Sequence, residues 1–400
     1  MFELPESLIR TVPEYRLRGV VPPWRDVLRA TPRLDAATGK IEQRQDVAYY
    51  KVADVGSSTV GDRVYALQLT CRSGATAVFL TYGASVAWLS DTDTLEQGTS
   101  YVLSYETVDE YLESDAYLGA SVGRVCNRVS PIHVQDSHSA FLLHPNHRAG
   151  HVAHHGGQAG WSMRLWNIET IEADASNDQL MLKMSYLSPH GEQGYNGSVR
   201  CEAVYTLKAC GDKSLRLSVE YQTTALNAPT HVNVTCHPYF NLERAQSSVL
   251  DSHFVAQLPC ANHVMEVDGA QIPSGKMLPT AGTPLELQQG VILSESAPRD
   301  GYDSFYVFST TCALEEGCSR NRVMSLGSTN GTRLTVSSNQ PGFQFYTGNF
   351  LGNRGMLVRH QGVCVEPSLL LNAATWESPP STLLPIGETL IQTIHYELAW

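Results

Sequence analysis

Short runs in which apolar and polar residues alternate recur along most of the chain, as in VYALQLTCRSG, ATAVFLTYGASVAWL, QLMLKMSYLS, SVRCEAVYTLKACGD and SLRLSVEYQTT. A period of two puts successive side chains on opposite faces of a strand, so each run predicts a β-strand. Further runs follow at HVNVTCH, RLTVSSN, GFQFYTGNF, GVCVE and TLIQTIHYEL, punctuated by Gly, Pro, Asn and Asp. Ten or more strands with few amphipathic helical patterns predict an all-β sandwich or barrel. One exception is SYETVDEYLES, whose Thr and Glu suit the capped start of a short helix. The stretch from Cys312 to Thr332, dominated by Glu, Gly, Ser and Asn, reads as a long surface loop or an expanded hairpin. Residues 1–44 are rich in Pro and charge without a clean period and read as an N-terminal extension, wrapped on the main domain or loose. No low-complexity linker or repeat divides residues 45–400, which read as one β domain.

Composition narrows the classes. At 400 residues, with 42% hydrophobic and 17% charged residues, the chain is long enough to bury a large core around a cleft. Its net charge of −12, with Lys and Arg scattered, gives no footprint for nucleic acid or an anionic membrane. No apolar run approaches the roughly 18 to 20 residues of a bilayer span, and the first residues lack the apolar centre of a signal peptide. Nine cysteines at wide spacings, without a CxxC pair, read as free thiols in a reducing compartment. The expectation is a cytoplasmic protein, a monomer or weak homodimer, with a small molecule as its partner. The sequons at Asn196, Asn233 and Asn330 then read as chance matches.

Alternation also locates candidate chemistry. In HVNVTCHPYFNL, Val232, Val234 and Cys236 share one face and His231, Asn233, Thr235 and His237 the other. Pro238 predicts that the strand ends there, leaving the His237 imidazole at the rim of the sheet. In GVCVEPSLLL, Val363 and Val365 alternate with Cys364 and Glu366, again just before a proline. A carboxylate at the end of an apolar strand is either paired and structural or raised by desolvation into a base that works near neutral pH. In HHGGQAGW, His154 and His155 precede two glycines that allow close backbone approach. Adjacent strand residues point oppositely and no Cys or carboxylate completes a ligand spacing, so no metal is expected. Asn127 and Arg128 of GRVCNR and Asp303 of GYD suit a ligand's hydroxyls and suit a solvated surface equally.

Taken in order, these segments resemble the aldose 1-epimerase family. YLGASVGRVCNRVS is similar to its glycine-rich stretch ending in Asn-Arg, HHGGQAGWSMRLW to its His-Gly-Gly segment, and LSPHGEQGYNGSVRCEAVYTL to its Ser-Pro-Asp-Gly-Glu strand pair. APTHVNVTCHPYFNL resembles the segment with the catalytic His, and IPSGKMLPTAGTPLEL the Ile-Pro-x-Gly connection. GYDSFYVF resembles its Gly-Tyr-Asp, PGFQFYTGNF its Pro-Gly-x-Gln strand, and GVCVEPS the strand with the catalytic Glu. The resemblance runs from about Asp46 to Trp400. It implies a large antiparallel β-sandwich, Glu366 as general base and His237 as general acid. It further implies that Asn127, Arg128, His155, Asp303 and Gln344 bind the hydroxyls and ring oxygen of a pyranose. Gln344 lies on the strand face opposite Phe343 and Phe345, in keeping with such a role.

The implied reaction exchanges the α and β anomers of a free hexose such as galactose or glucose through the open aldehyde, and needs no cofactor. An epimerase for hexose 6-phosphates would need a cluster of Arg or Lys, which the sequence does not display. A sugar-binding protein without turnover would keep the fold, yet both Glu366 and His237 are present. The chain departs from the family at Pro238, where Ser is usual, at Trp161, where Phe is usual, and after Glu366. There PSLLLNAATW replaces a Thr-Gln-Asn-Trp-Pro-Asp-Ala run.

Overall fold

The structure, a computed structural model, describes residues 23–400 apart from 36, 39, 41–46, 60, 93–98, 136–137, 259–260, 309–320, 353–356 and 376–381. The fold is an all-β, large antiparallel β-sandwich. A nine-stranded sheet runs in the order Asn167–Asp174, Gln179–Ser188, Val199–Ala209, Ser214–Ala225, Thr389–Ala399, Arg333–Ser338, Asn321–Ser328, His253–Gln257 and Val291–Ile292. One five-stranded sheet orders Pro273–Pro279, His263–Val267, Asp303–Val307, Gly342–Tyr346 and Cys364–Ser368. A second runs from Leu34–Asp35 through Tyr49–Ser57, Arg63–Thr70 and Thr76–Leu80 to Ser85–Ser90.

Burial explains why these segments are strands. Ser214–Ala225 alternates strictly between partly exposed and buried positions, so Leu215, Leu217, Val219 and Tyr221 line one face. They join Leu67 and Phe79 of the second five-stranded sheet and Phe343, Phe345 and Val365 of the first in one apolar cluster. Each large side chain fully buried there contributes roughly 1.5–3 kcal/mol, which makes the shared core the main stabilising layer.

Three details qualify the expectations. Thr107 caps the helix Val108–Glu113: its hydroxyl accepts from Glu110 N–H while the Glu110 carboxylate accepts from Thr107 N–H at 2.9 Å. Within the N-terminal extension, Trp24–Ala30 is a helix buried through Trp24, Val27 and Leu28. Trp24 donates to the Tyr105 carbonyl at 2.8 Å and packs edge-on to Trp88. Of the two readings of the stretch Cys312 to Thr332, the described part fits the hairpin: Asn321–Ser328 pairs antiparallel with Arg333–Ser338 as an interior strand of the nine-stranded sheet, with Val323, Met324 and Leu326 buried. Its first residues, with Cys312 and Cys318, lie outside the described residues, as do Cys260 and residues 1–22. The cysteines that are described carry free thiols. Among the described residues no helix is long and apolar enough to cross a membrane.

Candidate active site

The first five-stranded sheet sorts its side chains by register. Phe343, Phe345 and Val365 turn into the apolar core. Gln344 and Glu366 are direct cross-strand partners, as are Tyr346 and Cys364, and Asp303 pairs with Tyr346 on the other side. One face therefore collects Asp303, Gln344, Cys364 and Glu366. The strand does not stop at Glu366 as expected; it continues through Pro367, opposite Phe343, to Ser368. Proline is tolerated because this is the edge of the sheet, where no ladder bond is required of its nitrogen.

The segment bearing His237 is laced along that edge. Expected as one strand, it forms two short pieces, Thr230–His231 and Thr235–Cys236, paired with Leu383–Leu384 and Ser121–Val122. Thr235 Oγ1 donates to the Pro367 carbonyl at 3.0 Å, and beyond the histidine Phe240 and Val363 exchange backbone bonds of 2.8 and 2.9 Å. Tied on both sides, His237 places Nε2 3.5 Å from Glu366 Oε1. The ladder piece ends before Pro238 as expected, but the imidazole is not at an open rim: His237 and Glu366 are each 4% exposed.

The remaining candidates converge on the same place. Arg128–Val129 pairs with Ala153–His154, which sets the GRVCNR and HHGG segments side by side. Asn127 and His155 both take left-handed backbone, φ 57° and 50°, and exchange contacts: His155 N–H donates to the Asn127 carbonyl at 2.9 Å, and Asn127 N–H to His155 Nδ1 at 3.3 Å. Gly156 is required here, since at φ +86° a Cβ would meet the Gly123 carbonyl oxygen at 2.0 Å. Asn127 Nδ2 donates to Gln344 Oε1 at 3.2 Å, and Gln344 Nε2 to Asp303 Oδ1 at 2.6 Å. Asp303 Oδ2 in turn lies 3.9 Å from Arg128 Nη2. The His155 and His237 rings are 5.4 Å apart. All seven sequence-predicted residues thus form one constellation, in which the contact of Asn127 with Gln344 spans 217 positions of the chain.

A family model described as aldose 1-epimerase matches residues 65–397. The chain belongs to the aldose 1-epimerase family. It is 32% identical over 318 residues to a galactose mutarotase of Sus scrofa, covering 77% of this chain and 86% of that one. To the galactose mutarotase of Homo sapiens it is 29% identical over 338 residues, covering 80% and 90%. The crystal structure of a galactose 1-epimerase from Lactobacillus acidophilus NCFM shares the fold with a TM-score of 0.71, at 20% identity, over 87% of this chain and 98% of that one. This aldose 1-epimerase family member is accordingly an isomerase.

Burial sets the electrostatics of this isomerase's site. It drives the Glu366 carboxyl well above the ordinary range; the Asp303 charge adds to the rise and Arg128 opposes it. Burial also lowers the His237 imidazole to about 4, against a smaller pull from its own backbone carbonyl. Asp303 is raised by burial, with Arg128 and the Gln344 bond opposing. His154 and His155 fall well below their usual value, again through burial. Both members of the His237–Glu366 pair are thereby pushed toward their neutral forms. Their facing atoms, Nε2 and Oε1, lie 3.5 Å apart.

Reading the sequence alone passes over three groups. Tyr117, at φ 56°, packs against the His155 and His237 rings with centroids 4.6 and 6.1 Å away. Tyr239 covers His237 at 5.0 Å. Cys364 Sγ lies 3.5 Å from His237 Nδ1, and its place two residues before Glu366 was the signal that could have found it. Donor atoms of His237, Cys364 and Glu366 lie within 4.8 Å of one another. Cys364 and Glu366 address different nitrogens of the ring, however, so the three are laid out as a hydrogen-bond relay rather than a shell around one ion. A separate cleft of about 230 Å³ lies between Arg25 and Arg244. Of its polar lining, Asn241 Nδ2 donates to the Ala245 and Gln361 carbonyls and Arg244 pairs with Asp91.

Proposed function

We propose that this protein interconverts the α and β anomers of free hexoses such as galactose and glucose, with Glu366 as general base and His237 as general acid. The observation that carries the reading is the buried 3.5 Å contact between these two side chains, beside a polar ring of Asn127, Arg128, His155, Asp303 and Gln344. Glu366 takes the proton of the C1 hydroxyl as His237 gives one to the ring oxygen. The C1–O5 bond breaks and the free aldehyde forms. Rotation about C1–C2 and reclosure, with the two protons returned, yield the other anomer, and no atom is gained or lost. Each transfer contributes roughly 10² to 10⁴-fold.

A carboxyl and an imidazole facing each other suit a reaction in which acid and base exchange roles between directions. A neutral sugar is held through hydroxyls alone, and the amides of Asn127 and Gln344 supply donors and acceptors for them. Arg128 Nε is buried without a hydrogen-bond partner among the described residues and supplies one further donor. The test is polarimetry on freshly dissolved α-D-galactose and α-D-glucose. Faster relaxation with enzyme is the expected result, and relaxation of both sugars at the buffer rate overturns the reading.

A further inference from the structure

The mechanism above leaves the fully buried thiol of Cys364 unused. Cys364 stands on the Glu366 face of its strand, with Sγ 3.5 Å from His237 Nδ1, while Nε2 of the same ring faces Glu366. The Tyr239 ring lies over the same imidazole, 5.0 Å between centroids. A neutral imidazole carries one proton on one of two nitrogens, and the partner of the other nitrogen decides which.

Two groups compete at the Nδ1 edge. The backbone carbonyl of His237 can only accept, so it draws the proton to Nδ1. That carbonyl is already engaged by Gly119 N–H at 2.9 Å. The thiol can donate into Nδ1 and leave the proton on Nε2. We propose that Cys364 is a positioning residue that keeps the proton of neutral His237 on Nε2, the nitrogen that faces Glu366 and, on the reading above, the sugar ring oxygen. When the ring is protonated, rotation about Cβ–Sγ turns a sulfur lone pair toward Nδ1–H, so one side chain serves both states of the acid. No bond to Cys364 forms or breaks.

The test compares full-length wild type with Cys364→Ser, Cys364→Ala and Cys364→Val by ¹⁵N NMR of labelled histidine and by mutarotation kinetics. Wild type and Cys364→Ser are expected to show His237 protonated at Nε2. The Ala and Val variants are expected to shift it toward Nδ1, with kcat lowered about five- to tenfold, KM unchanged and activity restored by serine. Nε2 protonation retained in both apolar variants, or a kcat equal to wild type in either, overturns the proposal. If the wild type accelerates no sugar, the anomerase reading fails while the tautomer measurement still decides the role of Cys364.

Discussion

Two strands of this sandwich use the same alternating pattern to opposite ends. Along Ser214–Ala225 every second residue meets solvent, so its polar side chains stay hydrated. Along Cys364–Ser368 both faces are buried, one against the apolar core and the other against the segment bearing His237. The polar residues of the second strand are desolvated, and the perturbed titration of Glu366 follows from that position rather than from a special side chain. A sheet face becomes chemical when a second layer closes over it.

The largest expected break in this comparison is Glu366→Gln. The amide matches the protonated carboxyl in shape, so urea unfolding should show stability near wild type. Mutarotation should fall by roughly 10² to 10⁴-fold, since the proton transfer is lost. Full activity in that variant would remove Glu366 from its role.

A smaller effect separates the strands by pH. The His237 pKa is depressed from 6.5 to about 4 by burial, so between those values the unfolded chain binds a proton that the folded one does not. The sign follows: this contribution to stability is complete above pH 6.5 and is lost as pH falls to about 4. The raised Glu366 works in the opposite sense, losing stability as pH rises. His237→Asn isolates the histidine share, and its stability relative to wild type should improve by about 1.4 kcal/mol per pH unit on acidification through that window. Parallel pH–stability curves for the two proteins would show that the ring is not desolvated.

The smallest effect belongs to the solvated strand. Arg216 pairs with Glu397 across the nine-stranded sheet at 2.9 Å, with side chains 40% and 41% exposed. Arg216→Gln should change stability by less than about 1 kcal/mol and leave the pH profile of activity untouched. A larger loss in thermal unfolding would mean that this face is not as hydrated as its exposure indicates.

Much of this contrast was legible in the sequence because it rests on a local period. Phe343 and Phe345 against Gln344, and Val363 and Val365 against Glu366, are correctly sorted by alternation alone. Short or interrupted elements were not. The seven-residue helix Trp24–Ala30 is too brief for its apolar spacing to stand out, and the polar residues before Asn321–Ser328 left loop and hairpin undecided there. What closes over a face is a tertiary fact, so neither the burial of His237 nor its contact with Cys364 could be read from spacing. The ordered motifs, not any single residue, carried the seven-residue site.

The direct pairing of Gln344 with Glu366 has a consequence for sequence change. Displacing Cys364–Ser368 by one position against its neighbour would present Val365 to the polar ring and drive Glu366 into hydrocarbon. Fold and chemistry would fail together. Substitutions along this strand can be sampled one at a time, but a single-residue insertion or deletion within it leaves no functional intermediate, so length changes in this protein belong in its loops.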